Sequence, residues 1–73
     1  MRSAIEPDMV LGKDVVDAGG VRLGQVEDVG LVDQRRVKFL VVDQPGQPGR
    51  FLRVPASEVE EIGATLVTLR PAR

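Results

Sequence analysis

The chain has 73 residues, with 10 Lys and Arg against 11 Asp and Glu and a formal net charge of −1, so it is one small domain and neither a polycation nor an acidic tail. It contains no His, Cys, Trp or Tyr, which excludes an imidazole base, a thiolate nucleophile, a His/Cys metal cage and a disulfide framework. Thirteen Val against seven Leu and two Ile, within an apolar share of 42%, favour pleated strands over helices and argue against wholesale disorder.

Residues 1–8 mix polar side chains with Pro7 and read as an N-terminal lead-in. The domain proper is expected over 9–70, with 71–73 as a tail. Leu11 to Asp17 supplies a first short strand, closed by Ala18-Gly19-Gly20, where Gly20 can take the positive φ of a tight hairpin turn. From Val21 to Asp33 runs the longest extended segment, with apolar residues at 21, 23, 26, 29, 31 and 32. Strict alternation would keep one parity, yet parity changes between Leu23 and Val26 and again between Val26 and Val29, with Gly24 and Gly30 close by. Two bulges in one long strand account for this, and bulges curve a sheet toward closure.

Gln34-Arg35-Arg36 is a polar hairpin loop, followed by a third strand from Val37 to Val42 that is apolar on both faces apart from Lys38. The doubled Gln-Pro-Gly of residues 44–49 is a turn-rich loop. It contains the minimal Pro45-x-x-Pro48 spacing, but its glycines support an extended proline helix poorly, so it reads as a loop and not as a docking peptide. Phe51-Leu52-Arg53-Val54 is a fourth strand stopped by Pro55. Ser57 with Glu60 three residues on has the form of a capping box, Val59 and Ile62 share a helical face, and Gly63 can end the turn. Thr65 to Leu69 is the last strand. The expected fold is all-β: a small, partly open antiparallel barrel of five or six strands with one short helical turn near the C-terminus.

The order of these pieces is similar to the PRC-barrel domain family. The resemblance rests on Leu11-Gly12-Lys13-x-Val15-x-Asp17, Gly20-x-x-Leu23-Gly24-x-Val26-x-Asp28-Val29, Leu40-Val41-Val42, Arg53-Val54-Pro55-Ala56 and Gly63-Ala64-Thr65-Leu66-Val67-Thr68-Leu69. It runs from about Met9 to Leu69. Members include the cytoplasmic domain of the photosynthetic reaction centre H subunit, the C-terminal domain of a ribosome maturation factor, and short stand-alone forms, some linked to cell division. The chain lacks the membrane-spanning helix of the first and the N-terminal domain of the second, so neither specific function carries over. The family has no shared catalytic motif, and the resemblance implies a protein-binding module.

The carboxylates form local groups: Asp14 with Asp17, Glu27 with Asp28, and Glu58 with Glu60 and Glu61. Solvated or capping roles account for all of them, and a weak calcium or magnesium site is the lesser alternative. A Ser57–Lys13 dyad would require Ser57 to abandon its cap, and Gly19-Gly20-Val21-Arg22-Leu23-Gly24 opens a strand where a phosphate loop would open a helix. No enzyme activity, metal or cofactor is expected. Lys13 either pins one end of the barrel by pairing with a carboxylate such as Asp28 or is an ordinary exposed lysine.

Domains of this size rarely gain more than about 3 to 5 kcal/mol from one core and commonly add disulfides, metals or partners. A homodimer is therefore expected, with Val37, Phe39, Leu40 and Val42 at its interface and Leu40 or Val42 covered by the second chain. The expected function is a non-catalytic adaptor that also binds a partner protein in a larger assembly, such as ribosome maturation or cell division. The alternative is an RNA-associated processing factor touching nucleic acid through Arg35, Arg36 and Lys38, with Arg50 and Arg53 as neighbours. The longest apolar run, Phe39 to Val42, is far short of the roughly 20 residues that span a bilayer, so no membrane insertion and a cytoplasmic location are expected.

Overall fold

A computed structural model describes residues 5–47 and 49–71. Pro48 of the Gln-Pro-Gly loop, the first four residues of the lead-in and the last two of the tail lie outside them. Val15 and Val16 carry the first strand, β1 (Asp14–Val16), which is shorter than the segment expected from Leu11. Its beginning is lost to a turn in which the Lys13 amide donates to the Val10 carbonyl at 3.0 Å. After β1, the Asp17 side chain accepts hydrogen bonds from the Gly19 and Val21 amides, both at 2.9 Å, and Gly20 takes φ +88°. This self-bonded Asp is what closes the turn.

The long strand β2 (Arg22–Leu31) pairs with β1 and with β3 (Val37–Asp43), and β4 (Phe51–Pro55) pairs with β3, all antiparallel. Both expected bulges are present. Against β1, Val15 faces Gly24 and Val16 faces Arg22, leaving Leu23 unopposed; against β3, Val26 faces Val42 and Asp28 faces Val41, leaving Glu27 unopposed. A third irregularity leaves Lys38 of β3 unopposed between Phe39 and Val37. Each inserted residue reverses the parity of the strand beyond it.

The expected short helical turn is present as a 3-10 turn, while its capping box and its extent over Val59–Ile62 are corrected. Ala56–Glu58 is a single 3-10 turn entered from Pro55, with no side-chain cap, and Ser57 lies inside it. The following residues are a strand, β5 (Val59–Ile62), which pairs with β6 (Leu66–Leu69). Val59 faces Leu69 and Glu61 faces Thr68, so Glu60 is an inserted residue. This bulge points Val59 and Ile62 inward while Glu60 and Glu61 stay exposed, which reproduces the three-residue spacing of a helical face in extended chain. Glu60 therefore caps nothing; it pairs with Arg70 at 3.2 Å. Gly63 ends no helix, and its amide donates to the Leu66 carbonyl at 2.8 Å in the β5–β6 turn. Ser57→Ala is expected to change stability by less than about 0.5 kcal/mol in urea unfolding, against about 1 kcal/mol for loss of a true cap.

The six strands form one sheet in the order β4-β3-β2-β1-β6-β5, with β4 and β5 as its unjoined edges. The partly open barrel is thus present, but it is mixed and not wholly antiparallel, because β1 runs parallel to β6 with Val15 beside Val67. A parallel neighbour cannot be supplied by a hairpin; the intervening strands supply the crossover. The core among the described residues is Val10, Val15, Val26, Val37, Leu40, Val42, Val54, Val59, Val67 and Leu69, all aliphatic. Val10 is fully buried and the Ile5 carbonyl accepts the Val37 amide at 2.8 Å, so the lead-in is tied to β3 from Ile5 onward.

Among the described residues Lys13 meets no carboxylate. Its ammonium donates to the Gly63 carbonyl at 2.7 Å, fastening the approach to β1 against the β5–β6 turn, while the Asp28 carboxylate accepts its neighbour Val29's amide at 2.8 Å. The backbone carbonyl of Gly63, just past the end of β5, has two lone pairs and can accept this donor. Lys13→Met is expected to cost about 1 kcal/mol, read as a fall of about 4–8 °C in Tm.

Candidate protein-binding face

Cross-strand pairing sorts the side chains of β2, β3 and β4 onto two faces. The rows Val26–Val42–Leu52, Val29–Leu40–Val54 and Leu31–Val37 point toward the core side. The rows Gln25–Asp43–Phe51, Asp28–Val41–Arg53 and Gly30–Phe39–Pro55 point outward. Val37, Leu40 and Val42, expected at a dimer interface, therefore belong to the chain's own core; Leu40 and Val42 are 0% exposed without any second chain. The inserted Lys38 is the reason Val37 joins them, since it restores Val37 to the inner parity. Of the four expected interface residues only Phe39 faces out.

The outward face is built around that ring. Gly30 has no Cβ, and one placed there would overlap the Phe39 ring, so the ring lies directly on the β2 backbone. Above it the Arg53 guanidinium carbon stands 4.6 Å from the ring centroid. Such stacking orients the cation while leaving its outer side free for a ligand group. Val41 is half-buried beside the pair, Pro55 is exposed, and Phe51 is 54% exposed at the end of the strip. Asp28 and Asp43 share the face, so one surface holds aromatic, aliphatic, cationic and anionic groups together. Sequence reading did not single out Val41, Phe51 and Pro55; the matching parity of 51, 53 and 55 with 39 and 41 was the available signal, usable only once the β3–β4 register is known.

The basic hairpin is solvent-exposed. Arg36 pairs with Asp33 at 3.0 Å, Arg35 and Gln34 lie in the loop with Gln34 at φ +77°, and Lys38 occupies its bulge. Neither Arg35 nor Arg36 reaches Phe39; the cation on that ring comes from β4. The candidate carboxylates are dispersed in the same way: Asp14 pairs with Arg22 at 2.9 Å, Asp17 holds its turn, and Glu60 holds Arg70. Among the described residues no three of them converge where a metal ion would sit.

A half-open sheet of six strands around a Val-rich core, with its aromatic residues outside, defines a small all-β barrel domain. The PRC-barrel domain family model matches residues 6–72, and the chain belongs to that family. No curated protein is significantly similar to the chain in sequence. Among the described residues no helix is long and apolar enough to cross a membrane.

Proposed function

We propose that this chain is a non-catalytic, cytoplasmic interaction module that self-associates and binds a partner protein, with the outer face of β2, β3 and β4 as its self-association surface. The observation that carries the reading is the placement of both Phe residues on this face while the core is wholly aliphatic. Aromatic side chains and Arg are the groups enriched at protein interfaces, and Phe39, the Arg53 stacked on it and the exposed Phe51 lie together on this face. The face also suits its own copy. Asp28 and Arg53 lie in one row flanking Val41, so a two-fold axis through Val41 parallel to the strands sets each Arg53 against the partner copy's row at Asp28. The family is one of small domains often engaged in protein interactions, which agrees with this reading.

Sedimentation across micromolar concentrations is expected to give dimer mass for the natural chain, with a Tm that rises with concentration. Phe51→Glu, at an exposed position that the fold does not need, is expected to weaken dimerisation at least tenfold and to leave the circular dichroism unchanged. Monomer mass throughout, with unfolding independent of concentration, would remove the self-association. Partners recovered in a pull-down should survive nuclease treatment; partners lost with the RNA would favour nucleic-acid contact through Arg35, Arg36 and Lys38 instead.

A further inference from the structure

Among the described residues β5 is an edge strand, paired with β6 on one side only. All four of its residues line a groove of about 570 Å³ whose apolar surface comes from Ile5, Met9, Val32, Val37, Val59 and Ile62. Two cations reach this groove and both are already matched, Arg36 by Asp33 at 3.0 Å and Arg70 by Glu60 at 3.2 Å. Glu61, and Glu58 just before the strand, have no cationic partner among the described ion pairs. The groove thus joins a backbone edge that is open among the described residues to an apolar floor, and although its lining Arg and Glu balance in number, the carboxylates of Glu61 and of the neighbouring Glu58 lack a cation in contact.

We propose that this edge takes an extended segment of another protein in which apolar and basic residues alternate, added beside β5 as a seventh strand. The inference rests on the reading of the domain as a protein-binding module and names the chemistry of its partner. Backbone hydrogen bonds hold an added strand to an edge, and alternate side chains set its identity. Here one set of alternate side chains enters the groove between Val59, Ile62 and Ile5, and the other set lies over Glu58 and Glu61. A second copy does not fit this edge through its own β5. In antiparallel self-pairing, every register overlapping by three or more residues sets Glu60 against Glu60, Glu60 against Glu61, or Glu61 against Glu61, and like charges directly opposite destabilise a sheet. The same charges disfavour an acidic segment.

The test uses the full chain and three fluorescein-labelled hexapeptides followed by anisotropy: alternating Lys-Val, alternating Glu-Val, and the Lys-Val peptide with alternate backbone nitrogens methylated. The first is expected to bind saturably, and the other two at least tenfold more weakly, because one repels the edge and the other cannot hydrogen-bond to it. Glu61→Lys, a surface change, is expected to weaken the Lys-Val peptide at least tenfold. Equal binding of the acidic peptide, undiminished binding of the methylated one, or no effect of Glu61→Lys overturns the proposal, as does absence of binding by the Lys-Val peptide. Sedimentation of the same samples reports self-association through the other face separately, so loss of one reading leaves the other standing.

Discussion

Gly24→Ala is expected to leave the chain without a cooperative unfolding transition at 25 °C. Gly24 has φ +155°, a backbone geometry that L-residues rarely adopt, and it lies against the β3 backbone at Asp43. A Cβ at this position would overlap the carbonyl oxygen of Asp43 and stand 2.8 Å from the Val42 side chain. The obstruction is backbone, so no rotamer change relieves it; β2 and β3 have to separate at Gln25–Asp43 and Val26–Val42. Strained backbone alone costs on the order of 1–3 kcal/mol, and the lost pairing adds to it. Against a total of about 3–5 kcal/mol for a domain of this size, that removes most of the folded population. Circular dichroism against temperature checks it; a sigmoidal transition within about 5 °C of the natural chain's would contradict the packing described at Gly24.

Leu40→Ala is the second large effect. Leu40 is fully buried between Val29 of β2 and Val54 of β4, at the centre of the core. Truncating it costs about 2–5 kcal/mol from lost transfer free energy and the cavity left behind, again comparable to the whole stability. The outcome separates two roles for the residue. At a dimer interface, Leu40→Ala would yield a folded monomer; in the core, it yields a largely unfolded chain. Phe39→Ala, one position along on the opposite face, is expected to leave the fold cooperative, because the ring covers Gly30 and Arg53 and none of the core side chains. Paired urea titrations of the two variants read the difference directly.

Much of the fold is legible in local pattern. Valine-rich runs bounded by Gly and Pro mark the strands, Ala18-Gly19-Gly20 marks the turn after the first of them, and the parity changes around Leu23, Val26 and Val29 mark both bulges of β2. Identical logic misreads β5. Apolar residues three apart at Val59 and Ile62 fit one helical face, and they equally fit a strand with one inserted residue; only pairing with β6 distinguishes them. A capping-box pattern at Ser57 and Glu60 strengthened the helical reading, although Pro55 and a single 3-10 turn complete the corner without it.

The candidate face shows the same limit more sharply. That Val37 to Val42 is apolar on both sides is plain from its residues, and an apolar strand of that kind does require cover on both faces. Which side the domain covers by itself depends on the Lys38 bulge and on contacts with Val29 and Val54, which are distant in the chain. Residue types and spacing determined the absence of His and Cys chemistry, the strand-rich domain and its turns, because these follow from composition and from interactions within a few residues. Tertiary structure alone decided that Leu40 and Val42 fill the core, that Phe39 rests on Gly30 beneath Arg53, that β1 lies parallel to β6, and that β4 and β5 remain open edges. Those outcomes depend on strand register, and register is a property of pairs of segments that no single segment carries.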